Sequence, residues 1–303
     1  MPAYFSMTVI KYNSIKIGTL FILICIILVY ARITYISEPV SKELFTVPFH
    51  IERKSLTAPR VLSGVPLTIY ESWHSNMVPL KMRETIYSLL DMNPEFDYYL
   101  YSDDACRKFI KDNFNEDVVA AFDTLKPGAY KSDLWRYCIL YKKGGVYLDI
   151  KFKSLVPLAP IIEKNPEIFV RDMPISSISL SFDSDVYNAF MVSPPNNPIF
   201  KDCIEDIIDS CRLRLYKTSS LDITGPGCLM KNIKANKGDA YINSLLFYNS
   251  MRGLIEHLKT HNLTICYKNT VIIESYSEYR SEQKIFQKTK HYANLWLMRD
   301  IYN

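Results

Sequence analysis

Four charged side chains fall close together in this chain: Asp133, Arg136, Asp149 and Lys151. The first two lie in SDLWRYCILY, where every other residue from Leu134 to Tyr141 is apolar or aromatic. Charges rarely stay inside such a segment unless they are paired or employed. At i, i+3 on a helix they share a face. There a carboxylate can accept hydroxyl hydrogen bonds, and a guanidinium can donate in a fixed fork. A plain buried ion pair would satisfy the same spacing. The second two close the stretch GGVYLDIKF, residues 144–152. Strand alternation puts Tyr147, Asp149 and Lys151 on one face, with Val146, Leu148 and Ile150 on the other. Two carboxylates at that i, i+2 spacing would reach one divalent metal or one diphosphate, but the second position here is lysine. Alone, the pair reads more readily as a strand end with solvated charges.

Such groups need a scaffold, and the flanking pattern supplies one. Pro127 and Gly128 open a helix that Lys142, Lys143 and Gly144-Gly145 stop, with cations and glycine where the helix dipole and the C-cap favour them. Upstream, LTIYESWH reads as a strand and VPLKMRETIYSLLDMN as a helix opened by proline. FDYYLYS reads as a second strand and DDACRKFIKDNF as a helix with acidic residues in its first turn. This alternation predicts an α/β fold, a Rossmann-like and mainly parallel sheet flanked by helices. Ligands in such sheets sit at the carboxyl ends of strands, where Trp73, Ser102, Asp103 and Asp104 fall.

With 48% hydrophobic and 22% charged residues over 303 positions, the composition is that of a globular protein. A net charge of +4, from scattered cations, gives no footprint for nucleic acid. Residues 17–31, IGTLFILICIILVYA, carry no charge, and Lys16 and Arg32 flank them. Lys11 and Lys16 precede this stretch, whereas Arg32, Glu38, Lys42 and Glu43 roughly cancel after it. The positive-inside rule then gives a cytosolic tail over 1–15, a transmembrane signal anchor over 16–36 and a lumenal remainder. Val29 and Ala31 offer the competing reading of a cleaved signal peptide, at a site that Tyr30 and Arg32 crowd. Four prolines between residues 37 and 66 suggest a stem over 37–64, before a domain at 65–303. Beyond Cys25 there are six cysteines, whose even number permits disulfides but whose spacing selects no pairing. Asn262-Leu263-Thr264 is a glycosylation sequon if lumenal.

Taken together, the helix and strand are far more specific than either motif. The run A-x-K-S-D-x-x-R-Y-x-x-L-Y-x-x-G-G-V-Y-L-D resembles the signature of the D-x-D sugar-binding glycosyltransferases, a family that includes fungal α-1,6-mannosyltransferases and inositol-phosphoceramide mannosyltransferases. The resemblance takes in IYESWHS, NPEFDYYLYSDD, YNAFMVSPPNNPIF and DITGPG. It implies a glycosyltransferase A type domain that binds a UDP- or GDP-sugar and moves the sugar, with retention of configuration, to a glycan or glycolipid acceptor. In that reading Trp73 stacks on the base, Asp133 holds hydroxyls, and Arg136 contacts sugar or phosphate. Asp149 is the first carboxylate of the motif, Asn188 lines the sugar or acceptor side, and Thr224, Gly225 and Gly227 form a wall near the donor. His291 matches a C-terminal histidine that closes over the diphosphate, and with Asp149 it is the candidate ligand for Mn²⁺ or Mg²⁺. A second D-x-D, Asp183-Ser184-Asp185, reads as a turn.

Lys151 departs from the family pattern. Three readings stay open: another carboxylate or His291 completes a metal site, Lys151 itself neutralises the diphosphate, or the chain is an inert, membrane-anchored sugar-binding or scaffolding homologue. The first two predict a hexosyltransferase with membrane, Golgi or ER placement.

Overall fold

The computed structural model describes residues 41–55, 57–172, 186–251 and 263–303. Lys42–Asn303 form one compact unit. Its strands are β1 (Leu44–Thr46), β2 (His50–Ile51), β3 (Val61–Leu62), β4 (Val65–Pro66), β5 (Thr68–Ser72), β6 (Met77–Pro79), β7 (Asp97–Tyr101), β8 (Gly145–Leu148), β9 (Phe152–Ser154), β10 (Ile168–Arg171), β11 (Val186–Ser193), β12 (Phe247–Met251), β13 (Leu263–Tyr267) and β14 (Thr270–Ser275). The helices are α1 (Leu80–Met92), α2 (Asp103–Asn113), α3 (Glu116–Thr124), α4 (Gly128–Lys143), α5 (Ala159–Lys164), α6 (Pro198–Arg212), α7 (Pro226–Lys237), α8 (Asp239–Ser244), α9 (Tyr279–Phe286) and α10 (Tyr292–Leu297).

Ten strands form one sheet in the order β2-β7-β5-β8-β11-β10-β12-β13-β14-β9. The predicted mainly parallel sheet needs correction. β5 runs parallel to β7 and β8, and β10 runs parallel to β12, but the remaining neighbours are antiparallel. Parallel pairing requires a long crossover, which α1 supplies between β5 and β7 and α2–α4 supply between β7 and β8. Beyond β8 the pairs β8–β11, β11–β10, β12–β13, β13–β14 and β14–β9 are antiparallel, and β13 and β14 are joined by a tight two-residue turn. Helices nevertheless cover both faces of the central strands. Val146 and Leu148 pack with α1 residues Met82, Ile86 and Leu89, while Tyr147 packs with α4 residues Leu134 and Trp135. Period-two alternation therefore survives with both faces buried.

From Lys42 onward, the stretch expected as a stem is part of this unit. β1 pairs with β6, β2 adds to the sheet beside β7, and Val47 is fully buried. The predicted tail and anchor, the Asp183–Asp185 turn and Asn262 lie outside the described residues. Among the described residues no helix is long and apolar enough to cross a membrane. The six cysteines from Cys106 to Cys266 are buried free thiols.

Candidate active site

The helix α4 and the strand β8 meet through two glycines. Gly144 caps the helix at φ +63° and Gly145 starts the strand at φ +102°, both in the region that L side chains avoid. A Cβ on Gly144 would stand 2.6 Å from the Pro195 nitrogen, and one on Gly145 would stand 2.8 Å from the Thr68 oxygen. The tight reversal lets α4 lie directly over β8, so Asp133 and Arg136 face the end of the strand.

The strand itself stops at Leu148, which corrects the expectation that alternation carries Asp149 and Lys151 out on one strand face. Residues 149–151 form a turn instead. Three backbone hydrogen bonds fix it: Asp149 N donates to Ala189 O at 2.9 Å, Phe152 N to Asp149 O at 3.0 Å, and Tyr276 N to Lys151 O at 3.1 Å. The turn folds the Lys151 ammonium back onto Asp149, with Nζ donating to Oδ2 at 2.6 Å. The two side chains meet because the strand ends.

Around this turn the charges interlock. Arg136 Nη2 lies 3.1 Å from Asp133 Oδ1, and Nη1 lies 3.7 Å from Asp149 Oδ1. Arg136 also donates to the Asn188 carbonyl at 2.9 Å and to Ser132 Oγ at 3.2 Å, and it stacks over the Tyr147 ring at 4.4 Å. Asp133 accepts from Asn188 Nδ2 at 3.0 Å and from Thr224 Oγ1 at 2.8 Å. Asp149 Oδ1 accepts from the Tyr147 hydroxyl at 2.8 Å. Burial pushes Asp133 above the usual carboxylate range, against the pull of Arg136. Burial acts the same way on Asp149, but Lys151 and Arg136 outweigh it and hold this carboxyl below its ordinary value. Burial would lower Lys151, yet Asp149 more than compensates and keeps the ammonium charged.

These groups line a cavity of about 440 Å³ at the carboxyl ends of β5 and β8. The cavity brings together Trp73, Asp133, Arg136, Asp149, Lys151, Asn188, Gly225 and His291 of the residues expected from sequence. Thr224 is fully buried behind Asp133, and a Cβ on Gly225 would stand 3.3 Å from Asp133 Oδ2, so this loop supports the carboxylate. Gly227 lies against Asp222 rather than in the cavity; a Cβ there would reach Asp222 Oδ1 at 2.2 Å. His291 is exposed, accepts from Ala293 N at 3.3 Å as the cap of α10, and stacks on Tyr292. Asp103 also lines the cavity, while Ser102 caps α2 by accepting from Ala105 N.

Sequence reasoning missed several lining residues. Ser132 and Tyr147 stood within the quoted motif, and their polarity in an apolar run was the available signal. Tyr187 stood beside Asn188 at the start of YNAFMVSPPNNPIF, whereas Tyr279, Asp172 and Asn249 carried no motif. The side chain of Asn249 is buried and donates to Asp172 at 2.9 Å, while its Oδ1 has no hydrogen-bond partner among the described residues.

The donor set argues against a divalent cation at Asp149. Both carboxylate oxygens are engaged, Oδ2 by an ammonium and Oδ1 by a phenol with a guanidinium beyond it. A metal bound there at about 2.1 Å would lie beside two resident cations. Repulsion between unit charges at roughly 4 Å and an effective dielectric near 20 is about 4 kcal/mol, and a divalent ion doubles it. Among the described residues no three His, Cys, Asp or Glu side chains converge as a metal site. These residues do not fit the metal that a D-x-D pair would hold.

Comparison with known proteins now bears on this geometry. Residues 79–167, from the end of β6 through α5 and including the Asp149–Lys151 turn, match the glycosyltransferase sugar-binding region containing the DXD motif. Over this segment the chain is similar to the DXD-containing glycosyltransferases. It is 30% identical over 100 residues to inositol phosphoceramide mannosyltransferase 3 of Schizosaccharomyces pombe, covering 33% of this chain and 28% of that protein. To inositol phosphoceramide mannosyltransferase 1 of the same organism it is 22% identical over 181 residues, covering 59% of this chain and 54% of the relative. The chain thus spans about a quarter of the first relative's length and about half of the second's. The solved PaToxG glycosyltransferase aligns with 78% of this chain and 84% of its own at 12% identity, with a TM-score of 0.42. At the position of the DXD motif this chain reads Asp149-Ile150-Lys151.

Proposed function

We propose that this chain is a retaining glycosyltransferase that moves a hexose from a nucleoside-diphosphate sugar to a hydroxyl of a glycan or glycolipid. The observation that carries the reading is the interlocked set Asp133, Arg136, Asn188 and Asp149 lining one cavity at the strand ends. The names of the matching relatives favour mannose as the sugar moved and an inositol phosphoceramide as acceptor.

The two carboxylates divide the work by what their oxygens have left to offer. A carboxylate has about four acceptor sites. Asp133 already uses three, on Arg136, Asn188 and Thr224. Asp149 hydrogen-bonds only Tyr147 and Lys151, and its side chain is 22% exposed against 11% for Asp133. Asp149 is therefore the better acceptor for a sugar hydroxyl, and Asp133 orients Arg136. Trp73, half-buried at the end of β5, offers a stacking face to the base. Retention needs no separate base, because the departing phosphate can take the acceptor's proton. The apolar stretch at 16–36 and its flanking charges support a type II, lumenal placement in the Golgi or ER.

The inert-homologue reading draws on the lysine at the third motif position. One experiment separates the two. The full chain is incubated with GDP-mannose, UDP-glucose and UDP-galactose, with and without inositol phosphoceramide, and nucleotide release and glycosylated product are measured. Acceptor-dependent release with one donor is expected. No release from any donor, together with no binding of GDP or UDP, would sink the proposal.

A further inference from the structure

We infer that the Lys151 ammonium takes the place of a divalent cation at the departing diphosphate, so that this chain binds its nucleoside diphosphate without metal. The inference rests on the reading that the cavity accepts a nucleoside-diphosphate sugar.

Lys151 is only 7% exposed, yet it lines the cavity. Its backbone is fixed in the turn by the bond from Tyr276 N. Its ammonium is held by Asp149 and walled by the rings of Phe152, Tyr187 and Tyr279 at 4.9, 5.5 and 5.7 Å. This is a positioned cation rather than a solvated surface lysine, whose side chain would extend into water. An ammonium carries three N–H donors, and Asp149 Oδ2 accepts one of them. Arg136, the other cation, is committed to Asp133, the Asn188 carbonyl and Ser132. Lys151 is thus the less occupied of the two.

The charge arithmetic points the same way. A D-x-D pair presents two negative charges and needs an ion before it can face a diphosphate. Here one carboxylate, Asp149, stands between two cations. With Asp133 and Arg136 counted, the four side chains sum to zero with no ion added, where a D-x-D pair in the same place would leave two net negative charges, and a cationic donor already in position is what a leaving phosphate requires. In the transfer, the bond from the anomeric carbon to the β-phosphate oxygen breaks, and its electron pair stays on that oxygen. The acceptor oxygen bonds to the anomeric carbon and its proton passes to the departing phosphate. Lys151 donates hydrogen bonds to the phosphate throughout and keeps its own protons.

The test is equilibrium binding of GDP and of UDP to the full chain, in EDTA and in Mn²⁺, for wild type, K151M and K151R. Methionine keeps the buried stem, so packing loss is separated from charge loss, and thermal melts check that each variant is folded. The expected result is wild-type affinity in EDTA within about twofold of that in Mn²⁺. K151M should bind about tenfold or more weakly in both buffers, with K151R recovering part of the loss. Wild-type binding that disappears in EDTA and returns with Mn²⁺ overturns this inference and leaves the proposed function standing. Equal affinity of K151M and wild type also overturns it. Binding of neither nucleotide in either buffer overturns both.

Discussion

Asn188 on β11 donates its side-chain amide to Asp133 on α4 across 3.0 Å, so the sheet and the helix above it share a hydrogen bond inside the cavity. With Thr224 on the opposite oxygen and Arg136 one turn along, this fixes a carboxylate that burial would otherwise neutralise. Asp133→Ala removes the acid and leaves Arg136 with the longer contact to Asp149 as its ion pair. Breaking a buried pair in this way costs about 3–5 kcal/mol. Asp133→Asn retains the volume and part of the bonding, so its stability loss should be smaller. Both variants should lose about 100-fold or more in turnover, since the orientation of Arg136 fails in each. Urea denaturation and nucleotide release together measure the split.

A second carboxyl predicts a pH dependence. Glu71 on β5 is fully buried, accepts from the Tyr98 hydroxyl at 2.8 Å, and has an Oε1 with no partner among the described residues. Burial pushes it up to about 8, opposed by the Tyr98 bond and aided by the charge of Asp149. Its folded-state pKa thus lies above its unfolded value of 4.5. The stabilisation from holding the neutral acid is fully present below the unfolded value, and it is lost as pH rises through about 8. Glu71→Gln should abolish this loss. The melting temperature of the variant should match that of wild type near pH 4.5 and exceed it at pH 9. Equal differences at the two pH values would show that Glu71 does not carry the effect.

How much of this was legible beforehand follows from chain order. The helix α4, the glycine pair and the strand β8 are local, and their periodicity and caps stand in consecutive residues. Asp133 and Arg136 could be read as a pair because i, i+3 spacing fixes their geometry. The contact of Lys151 with Asp149 could not, because it arises from a turn pinned by Ala189 and Tyr276, residues remote in sequence. The antiparallel half of the sheet was hidden for the same reason: strand direction after β8 depends on connections, not on composition. Asn249 and Asp172 meet only because β10 and β12 are neighbours.

The Thr224 hydroxyl gives a prediction on the loop that carries T-G-P-G. It is fully buried and donates to Asp133 at 2.8 Å, and the Tyr137 hydroxyl donates to the Gly225 carbonyl at 3.3 Å. Thr224→Val keeps the shape and deletes the donor to a charged group, which costs about 1–3 kcal/mol. Thr224→Ser keeps the donor and loses a methyl group. If the hydroxyl is what holds Asp133, Thr224→Ser should retain most activity and Thr224→Val should not. Comparable losses in the two variants would assign the role to packing instead.

Trp73 follows Glu71 by two residues, at the point where β5 opens into the cavity. Its backbone N–H donates to the Tyr101 carbonyl at 3.0 Å, and its ring stands 4.7 Å from His74, whose own carbonyl accepts from Lys288 at 3.5 Å. The indole is thus held in place from the backbone side while it lines the cavity. Stacking of a base on an aromatic face is worth about 1–3 kcal/mol. Trp73→Ala should therefore weaken GDP or UDP binding by roughly 5- to 100-fold, and Trp73→Phe should keep most of it. Because a purine offers more stacking area than a pyrimidine, the loss should be larger for GDP. Fluorescence quenching of wild type by added nucleotide, absent in Trp73→Phe, would locate the base on this ring, and unchanged quenching would place it elsewhere.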